Sequence, residues 1–270
     1  MDDRPIGVFD SGLGGLTTVR ELCRLLPEED IVYFGDTGRV PYGSRSRETI
    51  VKYARQDVAF LRTFDLKTIV IACGTVSTTA LDVLAAENPI PVLGVVAPAA
   101  RAAAQATRSG SIGLIGTQAS IRSGAYERLI RAENPAARVL AQPCPLFVPL
   151  VENGRFRPGD VVIETVAAEY LAPLKEAGVD TLVLGCTHYP LLEKVIGAYM
   201  GPEVRLINSG AEGARAAADC LRERDALAGP GRGSCRCFVS DRQEDFSRLA
   251  STFLGWDVAQ AVEQVDISQY

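Results

Sequence analysis

Thr68-Ile-Val-Ile-Ala-Cys73-Gly-Thr75 and Thr181-Leu-Val-Leu-Gly-Cys186-Thr-His188 are the two stretches on which the fold turns. Each is a short apolar run, rich in branched side chains, that ends in a cysteine followed by small polar residues. A continuous apolar run of this length reads as a strand buried on both faces, as in a parallel sheet covered by helices. A second pair of stretches matches in the same order and at nearly the same offset. Ile6-Gly-Val-Phe-Asp10-Ser11-Gly12 aligns with Ile112-Gly-Leu-Ile-Gly116-Thr117-Gln118. Two matched strands in one order point to a duplicated α/β unit.

Further strands are expected at Ile31 to Phe34, Val92 to Val96, Arg138 to Ala141, Val204 to Ile207 and Cys235 to Ser240. Helix-length segments lie between most of them. Strands alternating with helices predict an α/β protein of two pseudo-symmetric domains with largely parallel sheets and an active site in the cleft between them. Val96-Ala97-Pro98 and Ile207-Asn208-Ser209-Gly210 are the candidate crossovers. They make residues 1–97 plus 208–270 a discontinuous first domain and residues 98–207 the second. Ala226 to Gly233, rich in Gly and Pro, reads as a surface connection.

The chain has 270 residues, 47% of them hydrophobic and 23% charged, which suits a globular protein with a sizeable core. No apolar run is long enough for a membrane span, and Met1-Asp2-Asp3-Arg4-Pro5 lacks the features of a signal peptide. A cytoplasmic protein without a membrane partner is therefore expected. The net charge of −5 and the lack of a basic cluster argue against nucleic acid as the primary partner. The densest basic stretch, Arg39 to Arg47, reads as a loop whose arginines suit solvent or a ligand equally. Seven cysteines cannot all pair within one chain, and in the cytosol most should be reduced. One residue separates Cys235 from Cys237, short of the usual zinc-ligand spacing, and there is a single histidine, so no metal site is expected.

In open parallel sheets, ligands bind beyond the carboxyl ends of the strands. Those ends carry Asp10-Ser11-Gly12-Leu13-Gly14-Gly15, Gly35-Asp36-Thr37, Cys73-Gly74-Thr75, Gly116-Thr117 and Cys186-Thr187-His188. The glycines at 12, 14 and 15 open backbone N–H groups to an anion. Their spacing is neither the dinucleotide fingerprint nor a P-loop, so a carboxylate-bearing small molecule fits better than a nucleotide. The alternative is a tight strand-to-helix turn with no ligand.

A cysteine at a strand end and helix start sits where a helix N-terminus favours the thiolate. A lone cysteine is more often a small buried hydrophobe. Two at equivalent places in a pseudo-repeat are expected to face one another across a cleft. That arrangement suits proton transfer at a stereocentre, one thiolate removing Cα–H and the opposite thiol delivering a proton to the other face. Cys23, Cys144 and Cys220 lack polar neighbours of this kind and read as structural. His188 either caps a helix or tunes Cys186, and Asp10 either caps a helix or tunes Cys73.

Seven motifs in one order are similar to the aspartate/glutamate racemase family, over nearly the whole chain. They are Phe9-Asp-Ser-Gly-Leu-Gly-Gly15, Tyr33-Phe-Gly-Asp-Thr37, Pro41-Tyr-Gly43, Cys73-Gly-Thr75, Gly94-Val-Val-Ala-Pro98, Leu150-Val-Glu-Asn-Gly154 and Leu184-Gly-Cys-Thr-His-Tyr-Pro190. The resemblance implies a cytoplasmic isomerase, a homodimer, that interconverts L- and D-glutamate and supplies D-glutamate for peptidoglycan synthesis, cell-wall biogenesis and cell shape. It implies no cofactor, neither metal nor pyridoxal phosphate. By position, Cys73 and Cys186 match the catalytic thiols, with Asp10, Glu152 and His188 assisting. Asp10, Ser11, Pro41, Tyr42, Gly43, Gly74, Thr75, Thr117, Thr187 and His188 match positions that hold substrate.

One position departs from the pattern. Gly74 stands where the family usually has Asn, which removes a side-chain donor and acceptor. Substrate affinity and the preference for glutamate are what that change affects. The alternatives are a racemase of aspartate or another amino acid, and a binding protein of the same fold without turnover. A cysteine hydrolase would leave the second thiol unexplained.

Overall fold

The structure, a computed structural model, describes residues 1–256 and 262–270. Its strands are β1 (Ile6–Asp10), β2 (Ile31–Gly35), β3 (Thr68–Ile71), β4 (Val92–Gly94), β5 (Ser111–Gly116), β6 (Arg138–Pro143), β7 (Thr181–Leu184), β8 (Arg205–Asn208), β9 (Cys235–Val239) and β10 (Val262–Gln264). Nine of them coincide with the expected runs to within two residues at most ends. The short β10 was not expected.

The strands form two sheets, ordered β10-β9-β2-β1-β3-β4 and β6-β5-β7-β8, and every ladder among the described residues is parallel. The four strands β2-β1-β3-β4 repeat the order β6-β5-β7-β8. The repeat extends to register. Ile6 pairs with Thr68 in the first sheet and Ile112 with Thr181 in the second. These are the residues that align between the sequence halves, so the pseudo-repeat is also a structural one. The first sheet differs by two extra strands, β9 and β10, donated by the C-terminal segment beside β2.

Burial explains the apolar runs. All residues of β1, β2, β3 and β7 are buried, because helices cover both faces of each sheet. Each such Ile, Val, Leu or Phe contributes roughly 1.5–3 kcal/mol by leaving water. One core cluster runs from Ile6 and Val8 through Leu22 to Leu182 and Leu184, so apolar packing is continuous between the two units.

The chain crosses from the first sheet to the second through the helix Val96–Ala106 and returns through the helix Ser209–Glu223. The expected boundary at 97/98 thus falls inside a helix rather than in a loop. Pro98 is tolerated because it occupies the first turn, where no intrahelical N–H bond is lost. The boundary at 207/208 falls at the end of β8, where the Asn208 side chain accepts from Ala211 N and starts the return helix. The segment Arg39 to Arg47 is not a plain loop. It holds a 3₁₀ turn, Tyr42–Ser44, and the start of the helix Arg47–Leu61, capped by Ser46. No helix among the described residues is long and apolar enough to cross a membrane.

Candidate active site

The carboxyl ends of β1, β3, β5 and β7 converge on one cleft of about 390 Å³, a volume suited to a small metabolite. Cys73 follows β3 and Cys186 follows β7, and both line this cleft at 4% and 7% exposure. Ser11, Pro41, Tyr42, Gly43, Gly74, Thr75, Thr117, Glu152, Thr187 and His188 line it too. Of the residues expected at the site only Asp10 is absent from the lining. It lies just beneath, 1% exposed.

The two thiols have different surroundings. Cys73 Sγ is 3.4 Å from Ser11 Oγ. Below it, Asp10 Oδ2 accepts from the backbone N–H groups of Gly12 and Gly15, while Oδ1 has no hydrogen-bond partner. One oxygen of Asp10 therefore braces the glycine turn, as a capping side chain does, and the other is left over. Burial pushes the Asp10 carboxyl above its usual range, against the opposing charge of His188. Burial first, and the Asp10 charge second, push the Cys73 thiol up to about 12.

Cys186 faces an imidazole instead. His188 Nδ1 lies 3.9 Å from Cys186 Sγ, and Nε2 lies 2.9 Å from Glu152 Oε1 at the end of the helix Phe147–Glu152. Burial acts to lower the His188 pKa. The bonds to Cys186 and Glu152 outweigh it and raise the value to about 10. The imidazole makes no capping bond to the short 3₁₀ turn Tyr189–Leu192 that it precedes.

Hydrogen bonds join the two units beside the cleft. Thr75 Oγ1 and Thr117 Oγ1 are 3.0 Å apart, and Thr17 Oγ1 donates to Thr187 O at 2.9 Å. Gly74 packs against backbone. A methyl group on it would sit 2.6 Å from the Gly185 carbonyl oxygen. A side chain at position 74 would require the backbone to shift, because the Gly185 carbonyl occupies the space it would take. Gly14 is pressed in the same way against Thr187 and His188.

These strand-end thiols, set in matching halves and each with its own polar relay, are accompanied by similarity over the whole chain. The family description Asp/Glu/Hydantoin racemase matches residues 9–217. A glutamate racemase of Geobacter metallireducens is 49% identical over 256 residues, covering 94% of each chain. The chain belongs to this racemase family. Among solved structures, a glutamate racemase of Bacillus anthracis superposes with a TM-score of 0.93 at 38% identity, covering 98% of each chain. One of Francisella tularensis in complex with D-glutamate gives 0.92 at 37% identity, covering all of both chains.

Two features of this racemase-family cleft escape the sequence reading. Cys144, read there as structural, lines the cleft at the end of β6, and burial with Cys186 nearby raises its pKa. The strand-end rule would have found it had β6 been extended to Pro143. Tyr42 lines the cleft as expected, but its hydroxyl turns away and bonds Asp36 and Asp57. Only its backbone and ring remain to face a ligand.

Proposed function

We infer that this chain is a glutamate racemase, interconverting L- and D-glutamate without a cofactor through Cys73 and Cys186. The observation that supports this most is the placement of both thiols at matching strand ends on one small-molecule cleft. In this reading one sulfur, as thiolate, takes the Cα proton, and the electron pair delocalises into the adjacent carboxylate. The opposite thiol gives its proton to the other face of Cα. The sulfurs leave the turnover with protonation states exchanged, ready for the reverse reaction.

The surroundings suit unequal resting states. Cys73, pushed up to about 12, favours its protonated form. A His188 imidazolium gives Cys186 a positively charged neighbour. Asp10, with its carboxyl raised by burial, is able to hold a proton, which removes its repulsion of a Cys73 thiolate when that sulfur takes its turn. Ser11, Gly43, Gly74, Thr75, Thr117 and Thr187 offer hydroxyl and backbone groups to the substrate's ammonium and carboxylates. The same reading places the enzyme in the cytoplasm as a homodimer supplying D-glutamate for peptidoglycan, with residues 1–97 plus 208–270 and 98–207 as the two halves of its cleft.

Purified protein incubated with L-glutamate in deuterated water should yield D-glutamate carrying deuterium at Cα. Absence of both exchange and D-isomer would overturn the assignment. Faster turnover of aspartate in a substrate panel would move it to that substrate.

A further inference from the structure

Beneath the cleft wall Val40–Ser44, apart from the thiols, four polar side chains pack together, three of them buried and Arg39 partly exposed. Asp36 follows β2, Asp57 lies in the helix Arg47–Leu61, and Arg39 and Tyr42 belong to the segment between them. Asp36 and Asp57 are fully buried and Tyr42 is 1% exposed. Arg39 donates from Nε to Asp36 Oδ2 at 2.6 Å and from Nη2 to Asp57 Oδ1 at 2.8 Å. The Ser240 hydroxyl, just past β9, donates to Asp36 Oδ1 at 2.7 Å. The Tyr42 hydroxyl is bonded to Asp36 Oδ2 and is also 3.1 Å from Asp57 Oδ2.

Counting hydrogens separates the two carboxyl groups. A phenol has one hydrogen, and Asp36, already held as a carboxylate by Arg39 and Ser240, is the acceptor that takes it. Asp36 thus receives three donors and is satisfied as a carboxylate. Asp57 receives one, on Oδ1. Its Oδ2 faces a phenol oxygen whose hydrogen is already in use, and two oxygens with no hydrogen between them repel. A proton on Asp57 Oδ2 turns that repulsion into a hydrogen bond. The charges agree, since two buried carboxyl groups share a single guanidinium and a second negative charge would go unpaired.

We propose that Asp57 is a neutral carboxylic acid donating to Tyr42, and that with Arg39 and Asp36 it is a positioning residue for the cleft wall Val40–Ser44. Burial and the neighbouring Asp36 charge both push the Asp57 carboxyl well above its usual range, against the pull of Arg39 and of the Tyr42 hydroxyl. The ionisable groups facing it are Asp36, Arg39 and Tyr42. Tyr53 stacks on Arg39, the helix Gly74–Thr79 brings none, and the Arg55–Glu87 pair is exposed to solvent. What the wall holds rests on the racemase reading, whereas the protonation state does not.

Infrared difference spectra of wild type against Asp57→Asn at neutral pH should show a protonated-carboxyl C=O band that the variant lacks. The Asn amide reproduces the neutral acid, an N–H toward Tyr42 and a carbonyl toward Arg39. Its KM and kcat for glutamate should therefore stay within about threefold of wild type. Asp57→Ala takes one acceptor from Arg39, which keeps Asp36 and Gln56, and one partner from Tyr42, which keeps Asp36. It should raise KM about tenfold with a smaller change in kcat. Lack of the band, or an Asn variant as impaired as the Ala variant, would overturn the proposal. Should wild type not turn over glutamate, the racemase reading falls. The band, and the rescue of unfolding free energy by Asn over Ala, would then still decide the state of Asp57.

Discussion

The strand end after β3 and the strand end after β7 are the same place in a repeated architecture, yet their chemistry is opposite. Cys73 stands above a buried carboxyl, and Cys186 stands beside an imidazole paired with Glu152. Backbone symmetry puts two sulfurs on one cleft, and the side chains then break the symmetry. A proton-transfer pair needs both properties, because two identical thiols would start in the same protonation state. The duplication explains where the thiols are. In the two-thiol reading proposed above, these unlike surroundings give the two sulfurs unequal roles.

The hardest test of that comparison is removal of either sulfur. Cys73→Ser and Cys186→Ser should each lower racemisation by at least about a thousandfold, since a serine hydroxyl is a far weaker acid than a thiol. Polarimetry reads this directly, and one variant with near wild-type turnover would leave a single functional thiol.

A sharper test lies in the helpers. L- and D-glutamate are mirror images of equal free energy, so kcat/KM must be equal in the two directions for every variant. Asymmetry appears only in kcat and KM taken separately. Asp10→Asn and His188→Asn should each lower kcat/KM about a hundredfold, and the direction with the lower kcat should be opposite in the two. The same direction in both would mean that the two helpers do not serve separate thiols.

The smallest effects concern Glu152 and pH. The Glu152 side chain is 32% exposed, so Glu152→Gln should cost about threefold in kcat. The His188 pKa is raised in the folded state from 6.5 to about 10. Its contribution to stability is therefore fully present below pH 6.5 and is lost as pH rises through about 10. The gap in unfolding free energy between wild type and His188→Asn should shrink over that window, and a gap independent of pH would show the imidazole to be neutral throughout.

Much of this site was legible in the sequence because strand ends are local signals. A branched apolar run ending in Cys, Asp or Thr marks both the strand and the place where ligands bind, and β1, β3, β5 and β7 were read that way. Cys144 was missed by two residues, since β6 continues through Gln142 and Pro143 where the apolar pattern has faded. The strand β10, Val-Glu-Gln, has little apolar character because it is a half-exposed edge. Asp57 was invisible for a different reason. It lies within a helix, and its partners are Asp36, Arg39 and Tyr42, a grouping created only when the helix packs on the sheet. Gly74 registers as a departure from the family in sequence, and only the fold shows the Gly185 carbonyl filling the space.

The insertion of β9 beside β2 has a consequence for the order of synthesis. The second sheet, β5 to β8, is contiguous and can form while the chain is still emerging from the ribosome. The first cannot be finished until β9 is made, and the Ser240 hydroxyl that secures Asp36 joins residues 204 apart. Long-range parallel pairing of this kind is slow to form. The wall of the cleft is thus completed near the end of translation, and a nascent chain has both cysteines long before it has a closed chamber in which to use them.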